Sequence, residues 1–454
     1  NIEVSFKAIY TPATPVSPYR GCGRPHACFA IERAIDQLAD DLGMDRMEIR
    51  RINLIADDEF PYERDGLIFA DGLKVIQDSG QYSKALEMVR AEIGWDGFVE
   101  KQKVAQAEGR YLGMGLAFYV EGTGLGPYEG GHIKIHPITG KAYVNTGLTS
   151  QGQGHETVFA QIVSDQLGIA VEDVIVVEGD SGAFDWGVAT FASRAAVCSG
   201  NAIHKTAIKV RKKVIEAAAN MLEADFSEIE LEDGYALVIG TNRKVALSAV
   251  ATATNPLRYA FNEAAKAATQ FAPASRHDGP ALAEGQQPGL EDTDFFSPDC
   301  ATWAYGVHAA IVEIDPVTCK VDFHKYVCIH DCGNMINPTI VEGQVLGGFA
   351  QGIAGALYEK IEFDEDGNPI NASFVDFLIP YATEIPSIEI HHLETPAPNN
   401  PLGVKGVGEA GCIAVGATVA SGIQDAMKHK SNAVFRQTPI TPSMIHEGLF
   451  QTSS

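Results

Sequence analysis

Near the C-terminal end of the sequence one carboxylate stands among glycines: Pro401-Leu402-Gly403-Val404-Lys405-Gly406-Val407-Gly408-Glu409-Ala410-Gly411. Glycines let a backbone approach a ligand closely. The small and apolar run that follows, Cys412 to Ala426, predicts a buried helix. Glu409 would sit at its N-terminus, where the helix dipole favours the charge and burial opposes it. A carboxylate so placed suits a general base. The plain alternative is a helix-capping Glu.

Three other segments carry reactive or ligand-binding types. Gln151-Gly152-Gln153-Gly154-His155-Glu156 offers amide donors and acceptors before a predicted helix, Thr157 to Leu167. That suits a ligand rich in oxygen and nitrogen, with phosphates taken by helix N-terminal amides. It lacks the Gly-Lys-Ser/Thr of a Walker loop and the second His of a zinc protease. Tyr19-Arg20-Gly21-Cys22-Gly23-Arg24-Pro25 places two arginines beside glycines, for an anion or for one of many carboxylates. Ala189-Thr190-Phe191-Ala192-Ser193-Arg194 is a further small-residue loop. Cys22, His26 and Cys28, like Cys328, His330 and Cys332, match no closed zinc spacing, and ordinary packing is expected of them.

The elements that must position these loops can be read from periodicity. Pro12, Pro15 and Pro18 exclude a helix at the start. Pro25 opens a helix whose Phe29, Ile31, Ala34, Leu38 and Leu42 predict an apolar face, and Asp45 caps a second helix to Leu54. Leu112 to Glu121 reads as a buried strand. His132 to Ile135 and Lys141 to Asn145 form a hairpin, followed by the glutamine–glycine loop and its helix. The polar stretch from Arg276 to Asp299 reads as a surface excursion. Gly306 to Ile314 and Lys320 to Ile329 repeat the hairpin, with a polar loop and a helix, Thr339 to Tyr358, behind it. This repeat predicts an α+β protein of two related, interleaved lobes, 1–250 and 251–454, with a site between them.

Composition narrows the class. The 59 acidic and 34 basic residues in 454 give a net charge of −25, which disfavours nucleic acid and anionic membranes as partners. No stretch approaches the roughly 18 apolar residues of a membrane span. Eight cysteines without a Cys-x-x-Cys pair indicate neither a disulfide framework nor an iron–sulfur cluster, so a reduced, cytoplasmic setting is expected. The sequence starts at Asn1, which reads as a fragment or a split or processed subunit.

Taken together, the loops resemble the molybdenum-binding large subunit of the xanthine oxidase family, the molybdenum hydroxylases. The motifs are Tyr19 to Pro25, Glu48-Ile49-Arg50-Arg51-Ile52-Asn53, Gln151 to Glu156, Phe191 to Arg194, Gly343-Gln344 with Gln351-Gly352, and Gly406 to Glu409, in the family's order. The resemblance implies a bacterial-type enzyme that hydroxylates an N-heteroaromatic or related carbon with oxygen from water. Glu409 matches the catalytic base. Gln151, Gly152, Gln153, Gly154, Ala192, Ser193, Arg194 and Gln351 match loops around the pterin and its phosphates, and Arg20, Gly21 and Cys22 the loop facing molybdenum. Cys22, Phe118, Tyr119 and Phe191 are the expected substrate pocket. Lys405, beside the glycines, would help the helix N-terminus keep Glu409 ionised and border the cofactor. The cofactor implied is molybdenum with molybdopterin cytosine dinucleotide, or plain molybdopterin, held through the pterin with no direct protein ligand to the metal. Electrons would leave through a 2Fe-2S small subunit and an FAD medium subunit, in a dimer of heteromers.

Three departures matter. No Gly-Gly-Phe-Gly-type loop is present, so an N-terminal half is expected on a separate chain or a missing segment. Gly21 stands where aerobic CO dehydrogenases carry Cys, which argues against CO as substrate. Cys22 replaces the stacking Phe of xanthine oxidase. CO or aldehyde oxidation on the same scaffold, and a non-catalytic scaffold subunit, are the alternative readings.

Overall fold

The computed structural model describes residues 5, 7–11, 17–69, 72–255 and 289–450. Pro12, Pro15 and residues 276–288 of the polar stretch lie outside these. The first third of the chain forms α1 (Arg24–Leu42), α2 (Arg46–Arg51), β1 (Tyr62–Ile68), β2 (Lys74–Gln77), α3 (Tyr82–Ile93), α4 (Phe98–Ala107), β3 (Tyr111–Thr123), β4 (Glu129–Ile135) and β5 (Ala142–Thr146). Next come α5 (His155–Leu167), β6 (Val174–Glu178), α6 (Asn201–Leu222), β7 (Ile229–Glu232), β8 (Tyr235–Val238), β9 (Lys244–Ala246) and α7 (Leu247–Thr254). The last third holds β10 (Glu291–Phe296), β11 (Thr302–Ile314), β12 (Val321–Asp331), α8 (Pro338–Leu357), β13 (Glu389–Leu393), α9 (Ala410–Ile413), α10 (Val415–Met427) and α11 (Pro442–Phe450). The α+β class is as expected.

Two four-stranded sheets dominate, ordered β10-β4-β5-β6 and β3-β11-β12-β13. Their topologies match. In each, a hairpin (β4–β5 or β11–β12) leads through a helix (α5 or α8) to a strand parallel to the hairpin's second strand. In each, an antiparallel strand flanks the hairpin's first strand, and it is exchanged: β3 precedes β4 but joins the second sheet, and β10 precedes β11 but joins the first. The repeat is therefore real, and the lobes are interleaved by a strand swap. A cut at residue 250 would remove β3 from one sheet and β10 from the other. Glu291–Phe296 is accordingly an edge strand, not a surface excursion: alternate residues can pair with β4 while their carboxylates meet Lys205, Lys209 and Lys213 of α6.

Each sheet has its own core. Ile133, Val144 and Val174 pack on Phe159, Val163, Ile203 and Val210 of α5 and α6. One face of the second sheet covers Leu86, Val89 and Ile93 of α3. Its other face covers α8 and α10 through Ala310, Val312, Phe349, Val419 and Ile423. Gly113 and Gly115 let α10 lie directly on β3, since a Cβ on either would fall 2.2 and 1.9 Å from backbone oxygens of Gly422 and Thr418.

The first helix departs from the periodicity reading. Ile31, Leu38 and Leu42 are exposed, and the buried positions are Cys28, Glu32, Asp36 and Ala39. Arg50 of α2 explains this. Its guanidinium donates to Glu32 at 2.8 Å and to Asp36 at 2.8 Å, and Ser421 donates to Asp36. A buried, paired charge network takes the place of an apolar stripe, and an apolar-period template misses it. Asp45 does cap α2, accepting from the amides of Met47 and Glu48.

Candidate active site

Between the two sheets lies a cleft of about 1180 Å³, lined by the Arg20, Gln151–Gln153, Phe191–Arg194, Gln344–Gln351 and Gly406–Glu409 segments. It exceeds the roughly 300–1,000 Å³ of common ligand pockets, so it has room for a large ligand. The repeat places two of its walls, since α5 and α8 both start at its edge.

Glu409 closes one end. It is 7% exposed and precedes α9. Its Oε1 accepts from the Gly21 amide at 3.0 Å, and its Oε2 from the Ser193 hydroxyl at 2.9 Å. Gly21 has a φ of +99°, which presents that amide to the carboxylate at little cost only without a Cβ. Burial opposes the charge of Glu409. The neighbouring Glu121 carboxyl, the Ser193 hydroxyl, the Arg24 charge and the Gly21 amide outweigh it, and Glu409 titrates below the usual carboxylate range. It is thus ionised at neutral pH.

Three short-loop residues hold left-handed backbone without being glycine: Cys22, Ala192 and Ser193, with φ of 46°, 47° and 47°. Such strain costs of order 1 kcal/mol or more per residue and gathers at functional sites.

Arg20 ties three walls together. It donates to the Gly408 carbonyl, to Gln351 Oε1 at 3.2 Å, and to both Gln344 oxygens at 2.9 Å. It is committed to protein rather than free for an anionic substrate. Gln153 shapes its own loop, accepting from the Gln151 amide at 2.6 Å and donating to Gln151 Oε1 at 2.8 Å. Gln344 Nε2 reaches the Gly152 carbonyl at 3.5 Å. Cys22 and Phe191 are exposed at the cleft.

Other expected site residues sit elsewhere or act differently. Phe118 is in the core against Tyr82 and Tyr305, and Tyr119 is buried beside His308; neither lines the cleft. Both belong to a strand whose two faces are covered, which leaves no aromatic of β3 for the cleft. Lys405 borders the cleft, but its ammonium turns inward to Asp331 at 3.2 Å, Ser79 and Thr395, away from Glu409. Arg194 is fully buried, donating to Glu129 and to the carbonyls of Leu125, Pro127 and Ala189, so it braces its loop. The sequence reading passed over Glu121, though a carboxylate closing an apolar strand was visible there.

Residues 88–386 and 1–54 match the molybdopterin cofactor-binding domain. The chain belongs to the molybdopterin cofactor-binding family. It is 34% identical over 98% of its length to the 6-hydroxypseudooxynicotine dehydrogenase complex subunit gamma of Paenarthrobacter nicotinovorans, covering 52% of that relative. It is 33% identical over 94% to the carbon monoxide dehydrogenase large chain of Hydrogenophaga pseudoflava, covering 51% of it. The quinoline 2-oxidoreductase structure from Pseudomonas putida 86 superposes with a TM-score of 0.83 at 34% identity, covering 97% of this chain and 54% of that one. The chain spans about half the length of the relatives it matches.

The cleft fits a molybdopterin. Gly343 and Gly347, one turn apart on α8, leave that wall bare: a Cβ at 343 would meet nothing within 4 Å, and one at 347 only Arg20 at 3.4 Å. Gln151, Gln153, Gln344 and Gln351 line the cleft, and the Nε2 groups of Gln151 and Gln351 keep donors for a heterocycle after the bonds that shape the walls are made. The first turn of α5 has no side-chain cap, so its leading amides lack a side-chain acceptor at the cleft edge.

Proposed function

We propose that this chain is the base-bearing half of a molybdenum hydroxylase catalytic subunit, acting on an N-heteroaromatic or related carbon. The observation that supports it is the Glu409 carboxylate, held ionised by the Gly21 amide and the Ser193 hydroxyl at the end of a cleft sized for the cofactor. Bound there, molybdenum with molybdopterin cytosine dinucleotide would supply the two-electron oxidation and the site at which water's oxygen is delivered. Gln151–Gln153, Ala192, Ser193 and Gln351 border the pterin in this reading, and no residue ligates the metal. Glu409 accepts the proton of the attacking oxygen nucleophile, for which it must be charged and within hydrogen-bond reach. Arg20 fixes the Gly408 carbonyl and thereby the loop that aims Glu409. Cys22 and Phe191 face the substrate.

Partners complete the enzyme. Among the described residues no group of cysteines approaches closely enough to ligate a cluster. In this reading electrons pass to 2Fe-2S and FAD on other chains. The exposed Phe374, Val375, Leu378, Ile379 and Tyr381 give one segment an apolar surface of the kind a partner covers, here the other half of the subunit. No helix among the described residues is long and apolar enough to cross a membrane, and a cytoplasmic location is proposed.

The test is Glu409→Ala in the complete complex, with molybdenum and cytosine nucleotide assayed alongside turnover. Turnover should fall by about 1,000-fold or more, in the range for a base acting in the chemical step, with cofactor content unchanged. Retention of a tenth of the activity would remove Glu409 from the mechanism. Bound copper with CO turnover would instead favour the CO reading.

A further inference from the structure

Side chains of β3 alternate between its two faces. Met114, Leu116 and Phe118 join the core under α3, while Ala117 and Tyr119 pack with Ala410 and Ile413. Glu121 and Thr123 continue the second face. Thr123 Oγ1 accepts from the Gly406 amide at 2.9 Å. Between Tyr119 and Thr123, Glu121 therefore lies beneath the loop from Gly406 to Ala410, at Glu409. It is fully buried, and no hydrogen bond of ordinary geometry reaches either carboxyl oxygen among the described residues. A buried polar group without a partner calls for an explanation.

The groups facing it are Glu409 on the loop, Arg24 on α1, Cys412 on α9 and Tyr119 on its own strand. Arg24 donates elsewhere, to the Gly122 carbonyl at 2.9 Å. Glu409 is the remaining acceptor.

We propose that Glu121 is a positioning residue for Glu409: it carries a proton, donates it as a hydrogen bond to the Glu409 carboxylate, and so holds the pair at a single negative charge. The proposal rests on Glu409 being the base. Two adjacent carboxyls do not both ionise readily, and the better-solvated one takes the charge. Glu409 has the Gly21 amide and the Ser193 hydroxyl; Glu121 has neither. Burial first, and Glu409 second, hold Glu121 well above the usual carboxylate range. Burial also pushes the Cys412 thiol up to about 11, so it adds no charge at neutral pH. When Glu409 takes up the substrate-side proton the pair becomes neutral, and the strength of the Glu121 donation sets how readily that happens. No bond other than O–H changes.

The complete complex with Glu121→Gln and Glu121→Leu tests this by two readouts. In infrared titration, the wild type at pH 7 should show the carbonyl band of a protonated buried carboxyl that Glu121→Gln lacks. In the pH profile of kcat/KM, Glu121→Gln keeps a donor and should leave the acid limb in place, while Glu121→Leu should raise it by about one unit, the effect of one lost hydrogen bond to a carboxylate. No such band in the wild type overturns the proposal. A downward shift in Glu121→Gln does the same, since that is the result of removing a negative charge. Turnover retained by Glu409→Gln would sink the base assignment but leave the infrared difference to decide where the proton sits.

Discussion

Ser193 and Glu409 bond to each other twice. The Ser193 hydroxyl donates to Glu409 Oε2 at 2.9 Å and accepts from the Glu409 amide at 3.2 Å. One side chain thus fixes both the charge and the backbone of Glu409, the proposed base. It does so from a left-handed backbone at φ 47°, with Gly406 packed directly against it.

Ser193→Ala removes one donor from a carboxylate. Glu409 loses part of what holds its pKa down, so its proton affinity rises and the ionised base is lost at higher pH. The acid limb of kcat/KM should move up by about one unit, equivalent to roughly 1.4 kcal/mol for a hydrogen bond to a charged group. An unmoved limb would show that the hydroxyl does not stabilise the anion.

Gly406 is where the two loops meet. A Cβ there would fall 2.0 Å from the Ser193 carbonyl oxygen, and backbone cannot swing away as a side chain can. Gly406→Ala should destabilise the protein by about 1–3 kcal/mol, the usual range for overpacking. It should lower turnover as well, because Ser193 must move off Glu409. Denaturant unfolding and an activity assay on the soluble fraction check both effects.

What the sequence made legible here depended on how local the physics was. Glu409 and Gln153 stood out through their glycines, although a helix cap or a polar turn would use the same residues, and Ser193 was singled out by the family resemblance. The repeat was visible because hairpin, loop and helix are each short-range. The exchange of β3 and β10 between sheets was not, since pairing partners separated by about 160 to 200 residues leave no local trace. Phe118 shows a related limit: strand alternation says that a residue points to one face, not that the face is covered by α3. Arg194 was expected at the cofactor from the family resemblance, and Lys405 beside Glu409 from its place among the glycines. Their partners, Asp331 and Glu129, are remote in sequence, and only the fold brings them in.

Arg20 offers a test of the geometry around the base. Its guanidinium spans Gly408, Gln344 and Gln351 with three nitrogens, and the single ammonium of Lys cannot reach all of them. Arg20→Lys should keep the charge but release the Gly408 carbonyl. A fall in kcat of about 100-fold is expected, equivalent to roughly 2.7 kcal/mol of barrier. The molybdenum content should be measured in the same samples. A fall in activity matched by an equal loss of metal would place Arg20 in cofactor retention rather than in aiming Glu409.

Lys405 separates charge from fold. Its ammonium meets Asp331 at 3.2 Å, the Ser79 carbonyl at 3.1 Å and Thr395 Oγ1 at 3.1 Å, and both Lys405 and Asp331 side chains are fully buried. Asp331 in turn accepts from the Thr395 amide at 2.6 Å and the Gly333 amide at 3.0 Å. Lys405→Met would leave that carboxylate without its counter-charge, and unfolding should become easier by about 3–5 kcal/mol, the cost of breaking a buried pair. Lys405→Met with Asp331→Leu should regain part of the loss, because the stranded charge goes too. The acid limb of turnover should stay where it is in both variants, since the ammonium faces away from Glu409. An upward shift of that limb would return Lys405 to the electrostatics of the base.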